Sequence, residues 1–304
     1  MPPAEGAIAD TVLDLVGRTP LVRLSRLSPP GRASVVGKLE VKNPGGSVKD
    51  RPALAMIEQA EARGQIGPGA VIVEATSGNT GISLAMISAV RGYRCILVMP
   101  EDMSLERRYV LRAYGAEIVL TPAEQGMTGA VGRAEEIARE TRGAFMPHQF
   151  ENLANPAAHE RTTAREILAD AGDGLVAFVA GVGTGGTVTG VGRVLKRERP
   201  HVRIVAVEPA SSAVLSGQPA GMHGIQGLGA GFVPDILDRS VIDEVVAVTD
   251  VAAERMTKRL AREEGVLLGP SSGANVHVAC EVASRFPSGV VVTVLCDTGE
   301  RYLF

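Results

Sequence analysis

The chain is poor in the residues that cross-link small secreted domains. It has only three cysteines among 304 residues, namely Cys95, Cys280 and Cys296. They are far apart and odd in number, so a disulfide framework is not expected, and no pair has metal-ligand spacing. We expect three buried thiols in a cytoplasmic protein.

Histidine is scarce as well, and its spacing excludes a conventional metal site. None of the histidines has a matching ligand partner in the sequence, so structural or solvent-facing roles are expected and no metal is predicted. The five are His148, His159, His201, His223 and His277.

The sequence also lacks a strong charge and a long apolar run. Its formal net charge is −3, which gives no reason to expect nucleic acid or an anionic membrane as a partner. No apolar stretch approaches a membrane-spanning length, and residues 1–5 lack the basic and apolar parts of a secretion signal. Hydrophobic residues at 45 % and charged residues at 21 % are ordinary for a globular protein.

Apolar, β-branched runs of strand length alternate with segments of helical length. This alternation predicts an α/β fold of mostly parallel twisted sheet flanked by helices, in two lobes or one large domain. The lobe boundary is expected near residues 151–156, where Asn152, Asn155 and Pro156 interrupt the pattern. The predicted strands are 35–39, 71–73, 96–99, 118–120, 177–180, 204–207 and 290–295. The predicted helices are 50–63, 79–91, 104–114, 128–141, 187–196, 252–264 and 272–285.

Lys49 lies at the junction of a glycine-rich loop and a predicted helix, in the segment Asn43-Pro44-Gly45-Gly46-Ser47-Val48-Lys49-Asp50-Arg51. Most lysines are solvated surface charges, and a cation at a helix N-terminus opposes the helix dipole. An amine that burial and nearby positive potential keep neutral avoids this cost, and such an amine can form a Schiff base with an aldehyde cofactor. Lys49 is therefore a candidate for covalent catalysis.

A second glycine-rich loop, residues 181–187, follows a predicted strand and opens a helix. Its glycines let backbone N–H groups approach an anion, and Thr184 and Thr187 add hydroxyl donors. A dinucleotide site is an alternative, because Gly181, Gly183 and Gly186 satisfy G-x-G-x-x-G and Glu208 ends the next strand. Tight packing without a ligand is the third interpretation of this loop.

A third loop, residues 76–81, clusters hydroxyl and amide side chains at another helix start. Ordinary N-capping by Ser77 or Asn79 is one interpretation. A cap needs only one such residue, so the density of polar groups favours an anion site. The long aperiodic stretch at 211–234, rich in glycine, is also typical of a functional loop.

Taken together, these motifs resemble the cysteine synthases (O-acetylserine sulfhydrylases), which are pyridoxal-phosphate enzymes of fold type II. The similarity spans nearly the whole chain. The motifs that carry it are 17–24, 43–51, 76–81, 103–108, Gln149-Phe150, 183–187, 225–232, 269–274 and 299–303. One departure is Ala164-Arg165, where the family usually has Gly-Pro, and we expect it to alter local packing without a catalytic effect.

The resemblance implies a role for each candidate residue. Lys49 carries the Schiff base, Asn79 hydrogen-bonds the cofactor's ring hydroxyl, and Ser271 faces the pyridine nitrogen, although Ser272 beside it is easily confused with it. The cofactor phosphate is held by Gly183, Thr184, Gly185, Gly186 and Thr187. The substrate is bound by Thr76, Ser77, Gly78, Asn79, Thr80, Gln149 and Gly227.

The resemblance also implies an organisation and an activity. Residues 42–153 form an N-terminal lobe with the substrate-carboxylate loop and a mobile part, and residues 1–41 with 154–304 form a C-terminal lobe with the phosphate cradle. The expected reaction is β-replacement, in which O-acetyl-L-serine and sulfide give L-cysteine and acetate. Cystathionine β-synthase, a serine/threonine deaminase or a catalytically silent binding relative are the alternatives. A homodimer and docking of a serine acetyltransferase are the implied partnerships.

Overall fold

The structure is a computed structural model and describes residues 8–76, 78–103 and 105–303. Its strands are β1 (Leu21–Arg23), β2 (Ser34–Leu39), β3 (Val71–Ala75), β4 (Arg94–Pro100), β5 (Glu117–Thr121), β6 (Ala144–Phe145), β7 (Leu175–Gly181), β8 (Arg203–Pro209), β9 (Glu244–Val248) and β10 (Val290–Leu295). Its α-helices are α1 (Asp50–Ala62), α2 (Asn79–Arg91), α3 (Leu105–Ala113), α4 (Gly126–Glu140), α5 (Ala154–Arg161), α6 (Thr163–Ala171), α7 (Gly186–Glu198), α8 (Asp250–Arg259) and α9 (Pro270–Ser284).

The chain divides into two compact units. One consists of the residues up to Val16 together with Asn43–Ala154, and the other of Gly17–Lys42 together with Asn155–Phe304. The lobe boundaries expected from the sequence, at 41/42 and 153/154, stay predictions. Within the described part of the chain, no helix has both the length and the apolar character needed to cross a membrane.

The first unit is built on a four-stranded parallel sheet in the order β5-β4-β3-β6. Val71 and Val73 of β3 pack into a cluster with α4, whereas Ile72 packs on the opposite face with residues of α1 and α2. A parallel strand with helices on both faces needs apolar side chains on both, which explains the continuous run. The exception in β3 is Glu74, which is buried at 6 % exposure.

The second unit is built on a six-stranded sheet in the order β1-β2-β10-β7-β8-β9. All neighbours are parallel except β1 and β2, which are antiparallel. Phe178 of β7 is fully buried, and α9 covers one face with a run of small and branched side chains. In parallel sheets of this kind, ligand-binding loops gather at the carboxyl ends of the strands, which here lead into residues 182–185 and 210–234.

The predicted α/β class with mostly parallel sheet is confirmed, and β10 and α2 have the predicted bounds. The sequence pattern missed β1, β6 and β9, which are short or edge strands, and also α5 and α6. The predicted helix 252–264 is α8 followed by a π-helical turn, Leu260–Glu264. Ser104, the predicted start of another helix, lies outside the described residues.

The departure at Ala164-Arg165 falls in α6. Ala164 is fully buried, whereas Arg165 forms a surface ion pair with Glu198 of α7 at 2.7 Å. The neighbouring Glu166 has a larger structural role, since it pairs at 2.8 Å with Lys38, a lysine of β2 that is fully buried. Of the two replaced positions, Ala164 therefore packs in the interior and Arg165 carries a surface charge.

Candidate active site

Lys49 is the N-cap residue of α1 and is half-buried. Its peptide N–H donates to Ser47 Oγ at 3.2 Å, which closes the loop in front of the helix. Asp50 follows it with a fully buried carboxylate, which accepts from Gly45 N–H and from Ser83 Oγ of α2, each at 2.5 Å. These bonds tie both ends of the loop to two helices, so the backbone that carries Lys49 is held firmly.

The loop at 76–81 follows β3 and leads into α2, as predicted. Thr76 and Thr80 are buried, and Gly78 is the N-cap residue of α2 without a side-chain capping bond. Asn79 is the first helical residue, so ordinary capping by Asn79 does not explain its presence. Ser77 lies outside the described residues. The helix start therefore offers backbone N–H groups to an anion.

Gln149 comes to this loop from about 70 residues further along the chain. Thr80 Oγ1 donates to Gln149 Oε1 at 2.6 Å, and both side chains are buried. Because Oε1 of Gln149 accepts this bond, its Nε2 group is left as the hydrogen-bond donor of the amide. Lys49 and the carboxylate-binding candidates Thr76, Gly78, Asn79, Thr80 and Gln149 all belong to the first unit.

The cradle at Gly183, Thr184, Gly185, Gly186 and Thr187 lies between β7 and α7 in the second unit. Gly185 is the N-cap residue of α7 with φ +85°, a left-handed conformation that favours glycine. At Gly183 a Cβ would lie within 3.0 Å of the Gly227 carbonyl oxygen. The glycines therefore let two backbone segments pack closely, and the loop places its backbone at the start of a 13-residue helix, an arrangement that suits a phosphate.

Two residues of α5 support the threonines of this cradle. Asn155 Nδ2 donates to Thr184 Oγ1 at 3.0 Å. The buried His159 lies between Thr163 Oγ1, 2.9 Å from its Nδ1, and Thr187 Oγ1, 3.2 Å from its Nε2. Sequence reasoning missed both supports because the short polar helix α5 has no apolar periodicity.

Glu208, the acid that kept a dinucleotide interpretation open, is already engaged. It is buried at the end of β8, where one oxygen accepts from Leu215 N–H and the other from Ser216 N–H and Oγ. Its carboxylate therefore anchors the start of the long loop instead of facing a ribose. The geometry favours the single-phosphate interpretation of the cradle.

Ser271 and Ser272, which the sequence could not distinguish, occupy different environments at the start of α9. Ser272 is fully buried, and its Oγ accepts from Cys296 N–H at 2.8 Å, a bond that ties α9 to the end of β10. Ser271 is buried on the side of Gly227, where a Cβ on that glycine would lie 3.8 Å from Ser271 Oγ. This position favours Ser271 as the ligand-facing hydroxyl.

The loop at 211–234 brings Gly227 beside the cradle. Gly229 N–H donates to Val182 O at 3.0 Å, and His223 Nε2 lies 3.0 Å from Gly229 O. Hydrogen bonds at both the N–H and the carbonyl of Gly229 therefore hold the turn that contains Gly227. Gly227 has φ +94°. The segment 223–232 contains no arginine or lysine.

Comparison with known proteins places these features in a family. Residues 12–297 match the pyridoxal-phosphate dependent enzyme family. The probable cysteine synthase of Bacillus subtilis is 53 % identical over 300 residues, which cover 97 % of this chain and 96 % of that protein.

Two solved structures have the same fold. Cysteine synthase from Entamoeba histolytica has a TM-score of 0.94 at 38 % identity, covering 100 % of this chain and 91 % of that one. O-ureido-L-serine synthase has a TM-score of 0.94 at 49 % identity, covering 98 % of this chain and 94 % of that one. The cradle, the lysine at a loop-to-helix junction and these similarities agree, and the chain belongs to the pyridoxal-phosphate dependent enzymes.

Proposed function

We propose that this protein catalyses β-replacement on O-acetyl-L-serine with sulfide, which gives L-cysteine and acetate. The observation that carries the proposal is the likeness to cysteine synthases at 53 % identity across 97 % of the chain. Pyridoxal phosphate is the cofactor, as it is for the family. The glycine cradle at the start of α7 and the half-buried Lys49 fit its phosphate and its aldehyde.

The proposed cofactor contacts follow from the environments of the side chains. Lys49 is the amine that bonds the cofactor, Asn79 binds the ring hydroxyl, and Ser271 faces the ring nitrogen. Backbone N–H groups of the α7 start and the threonine hydroxyls hold the phosphate, which is supported by the position of this glycine-rich loop at the N-terminus of α7. The residues of this phosphate group are Gly183, Thr184, Gly185, Gly186 and Thr187.

The proposed substrate contacts lie mainly at the start of α2. The α-carboxylate is bound by backbone N–H groups there and by the amide of Gln149, which the bond from Thr80 orients. Gly227, which has no side chain, leaves room for the acetyl ester. The full set is Thr76, Ser77, Gly78, Asn79, Thr80, Gln149 and Gly227. Residues 42–153 are proposed to carry the carboxylate loop, and 1–41 with 154–304 the phosphate cradle.

In this reaction the protein itself has to transfer the α-proton and to position the groups that react. When bound, the cofactor supplies the electron sink that stabilises negative charge at the substrate Cα. Lys49 Nζ would take the α-proton of the substrate as the general base and later return it. The bonds of Asp50 to Gly45 and Ser83 hold the backbone of Lys49 during this exchange. A neutral serine hydroxyl at Ser271 leaves the ring less electrophilic than a carboxylate would, which suits elimination.

The test is a substrate panel with purified holoenzyme and sulfide. O-acetylserine should give cysteine and acetate in equal amounts, with ping-pong kinetics. O-phosphoserine should be a poor substrate, because segment 223–232 has no fixed cation for a phosphate dianion and its His223 is bonded to Gly229 O. Equal or better turnover of O-phosphoserine would contradict this interpretation of the loop.

The same panel separates the alternatives. Serine with homocysteine tests cystathionine β-synthase activity, and serine or threonine alone tests deamination to a keto acid. Hydroxyurea in place of sulfide tests O-ureidoserine formation, which the likeness to O-ureido-L-serine synthase makes a necessary arm. No turnover in any arm, with cofactor bound, would support a silent binding relative and overturn the proposal.

Two partnerships and a location are further proposals that rest on the family resemblance. We propose a homodimer, to be measured by sedimentation equilibrium, and docking of a serine acetyltransferase C-terminus, to be measured by calorimetry with a synthetic peptide. A cytoplasmic location is supported by Cys95, Cys280 and Cys296, none of which forms a disulfide. Of the three thiols expected to be buried, Cys95 is buried, whereas Cys280 and Cys296 are partly exposed.

A further inference from the structure

Glu74 is a buried carboxyl group on an otherwise apolar strand. It lies on β3, one residue before the strand ends and two residues before Thr76 of the carboxylate loop. Its residual exposure is 6 %. A charged side chain in the middle of a parallel sheet is costly unless it has a partner, so its contacts have to compensate for its burial.

The partner is the backbone of a distant segment. Glu74 Oε2 accepts from the peptide N–H of His148 at 3.1 Å, a contact across 74 residues of sequence. His148 has φ +53°, a left-handed conformation that is uncommon for a residue with a side chain. The surrounding structure has to hold such a residue in place, because the conformation costs free energy.

The held segment leads directly into Gln149. Other bonds close the turn around it: Glu151 N–H and Asn152 N–H donate to His148 O, at 3.0 and 2.9 Å. Gln149 then reaches Thr80 at the start of α2. Glu74 thus lies on the strand that precedes the carboxylate loop. It also holds the segment around His148, which brings the amide of Gln149 to the same loop.

We propose that Glu74 is a positioning residue for substrate-carboxylate binding: its ionised carboxylate fixes the backbone of His148 and thereby the amide of Gln149. The inference rests on the proposed function, since it assigns Gln149 to the substrate carboxylate. It makes the affinity for the amino-acid substrate depend on the ionisation of a group that does not touch the substrate.

The surroundings of Glu74 place its pKa within the pH range in which the enzyme can be assayed. Burial raises the pKa of Glu74 to about 7, the bonds from the His148 and Ala75 backbone oppose this rise, and the negative charge of Glu151 adds to it. The imidazole of His148 belongs to the segment that leads into Gln149. Helix α1 packs on the face of β3 that Glu74 shares with Ile72, and of its charged residues Asp50 and Arg51 are buried, Glu61 is partly buried and Glu58 is exposed. The charged residues on β4, α2 and α4 are exposed, namely Arg91, Arg94, Arg133, Glu135, Glu136, Arg139 and Glu140.

The direction of the effect follows from hydrogen-bond strength. An ionised carboxylate is a stronger acceptor than a protonated one, so His148 is held best above pH 7. The KM for O-acetylserine should therefore rise as the pH falls from 8 to 6. Glu74→Gln keeps the size and an acceptor but cannot ionise, so its KM should lose this part of the pH dependence.

The experiment compares the wild-type holoenzyme with Glu74→Gln and Glu151→Gln between pH 6 and pH 8. The ratio of the KM of Glu74→Gln to that of wild type should rise from about 1 at pH 6 to roughly fivefold at pH 8, with kcat within about twofold. Glu151→Gln is the matched control: it keeps its backbone bond to His148 O but removes a charge that raises the pKa of Glu74, so the inflection should move to lower pH.

A second measurement does not depend on turnover. Amide hydrogen exchange of a peptide that contains His148 should be faster in Glu74→Gln than in wild type at pH 8, and equal at pH 6. A KM ratio that stays constant with pH, or unchanged exchange at His148, would overturn the proposal. If the wild-type enzyme does not turn over O-acetylserine, the proposed function fails, and the exchange measurement still reports on the role of Glu74.

Discussion

The glycine at position 183 makes the sharpest prediction about the cofactor cradle. A Cβ added there would lie within 3.0 Å of the Gly227 carbonyl oxygen, closer than real Cβ atoms approach. The obstacle is backbone, and the Gly227 turn is tied to Val182 by the bond from Gly229 N–H at 3.0 Å. Gly183→Ala therefore has to displace one of the two backbones that form the cradle.

The size of the effect follows from comparison with two other glycines. Overpacking against backbone costs about 1–3 kcal/mol, which corresponds to a cofactor affinity roughly 5- to 150-fold weaker for Gly183→Ala. Gly185→Ala has to adopt φ +85°, which costs about 1–2 kcal/mol in strain, and its Cβ would also lie 3.0, 3.1 and 3.4 Å from Cδ1, Cβ and Cα of Leu237. Gly174→Ala, whose Cβ would lie 3.8 Å from Val290, should behave as wild type.

The assay is titration of each cofactor-free protein with pyridoxal phosphate, followed by the visible absorption of the bound cofactor. The thermal midpoint of each cofactor-free protein serves as the control for folding. The affinity should fall at Gly183 and Gly185 and be unchanged at Gly174. Wild-type affinity in a folded Gly183→Ala protein would refute the argument that this backbone contact shapes the cradle.

Other predictions concern stability and the serine pair. Glu166→Gln should lower the free energy of unfolding by about 2–3 kcal/mol in urea melts, since it removes the charge 2.8 Å from the buried Lys38 and leaves Asp170, at 3.8 Å, as the carboxylate beside it; an unchanged midpoint would refute this role of the ion pair. The raised pKa of Glu74 means that the folded protein keeps a proton that the unfolded chain loses between about pH 4.5 and 7. Stability should fall as the pH rises through that window, by up to roughly 3 kcal/mol, and Glu74→Gln should remove this fall in melts at pH 5 and 8; equal pH dependence in both proteins would contradict it. Ser271→Asp should slow β-replacement, whereas Ser272→Ala should lower the melting temperature and leave the reaction largely intact; slow β-replacement in Ser272→Ala and an unchanged rate in Ser271→Asp would exchange their roles.

The sequence predicted most of what local patterns can encode. Strand β10 and helix α2 were predicted to the residue because a continuous β-branched run and a long apolar helix are strong signals. Strand β9 was missed because its residues are mostly half-exposed at a sheet edge, and α5 because it packs through single polar contacts. The three loops were predicted at strand-to-helix junctions because clustered glycines and hydroxyls at such junctions are typical of anion-binding turns.

The contacts that complete the site could not be predicted in the same way. The bond from His148 to Glu74 spans 74 residues, and the bond from Asn155 to Thr184 spans 29. No periodicity reports such pairs, since only the folded topology brings them together. The sequence signal for the bond to Glu74 was the single carboxylate in the otherwise apolar strand β3. The choice between Ser271 and Ser272 likewise needed the position of the β10 end, which the local sequence does not contain.

Chemical trapping of the cofactor tests the central claim, that Lys49 is the amine that bonds the cofactor and moves the α-proton. Borohydride reduction of the holoenzyme, followed by peptide mapping, should place the cofactor on the peptide that contains Lys49. In parallel, Lys49→Ala should still bind pyridoxal phosphate through the cradle but should no longer exchange the substrate α-proton with deuterated solvent. Reduced cofactor on another lysine, or wild-type α-proton exchange in Lys49→Ala, would contradict the account.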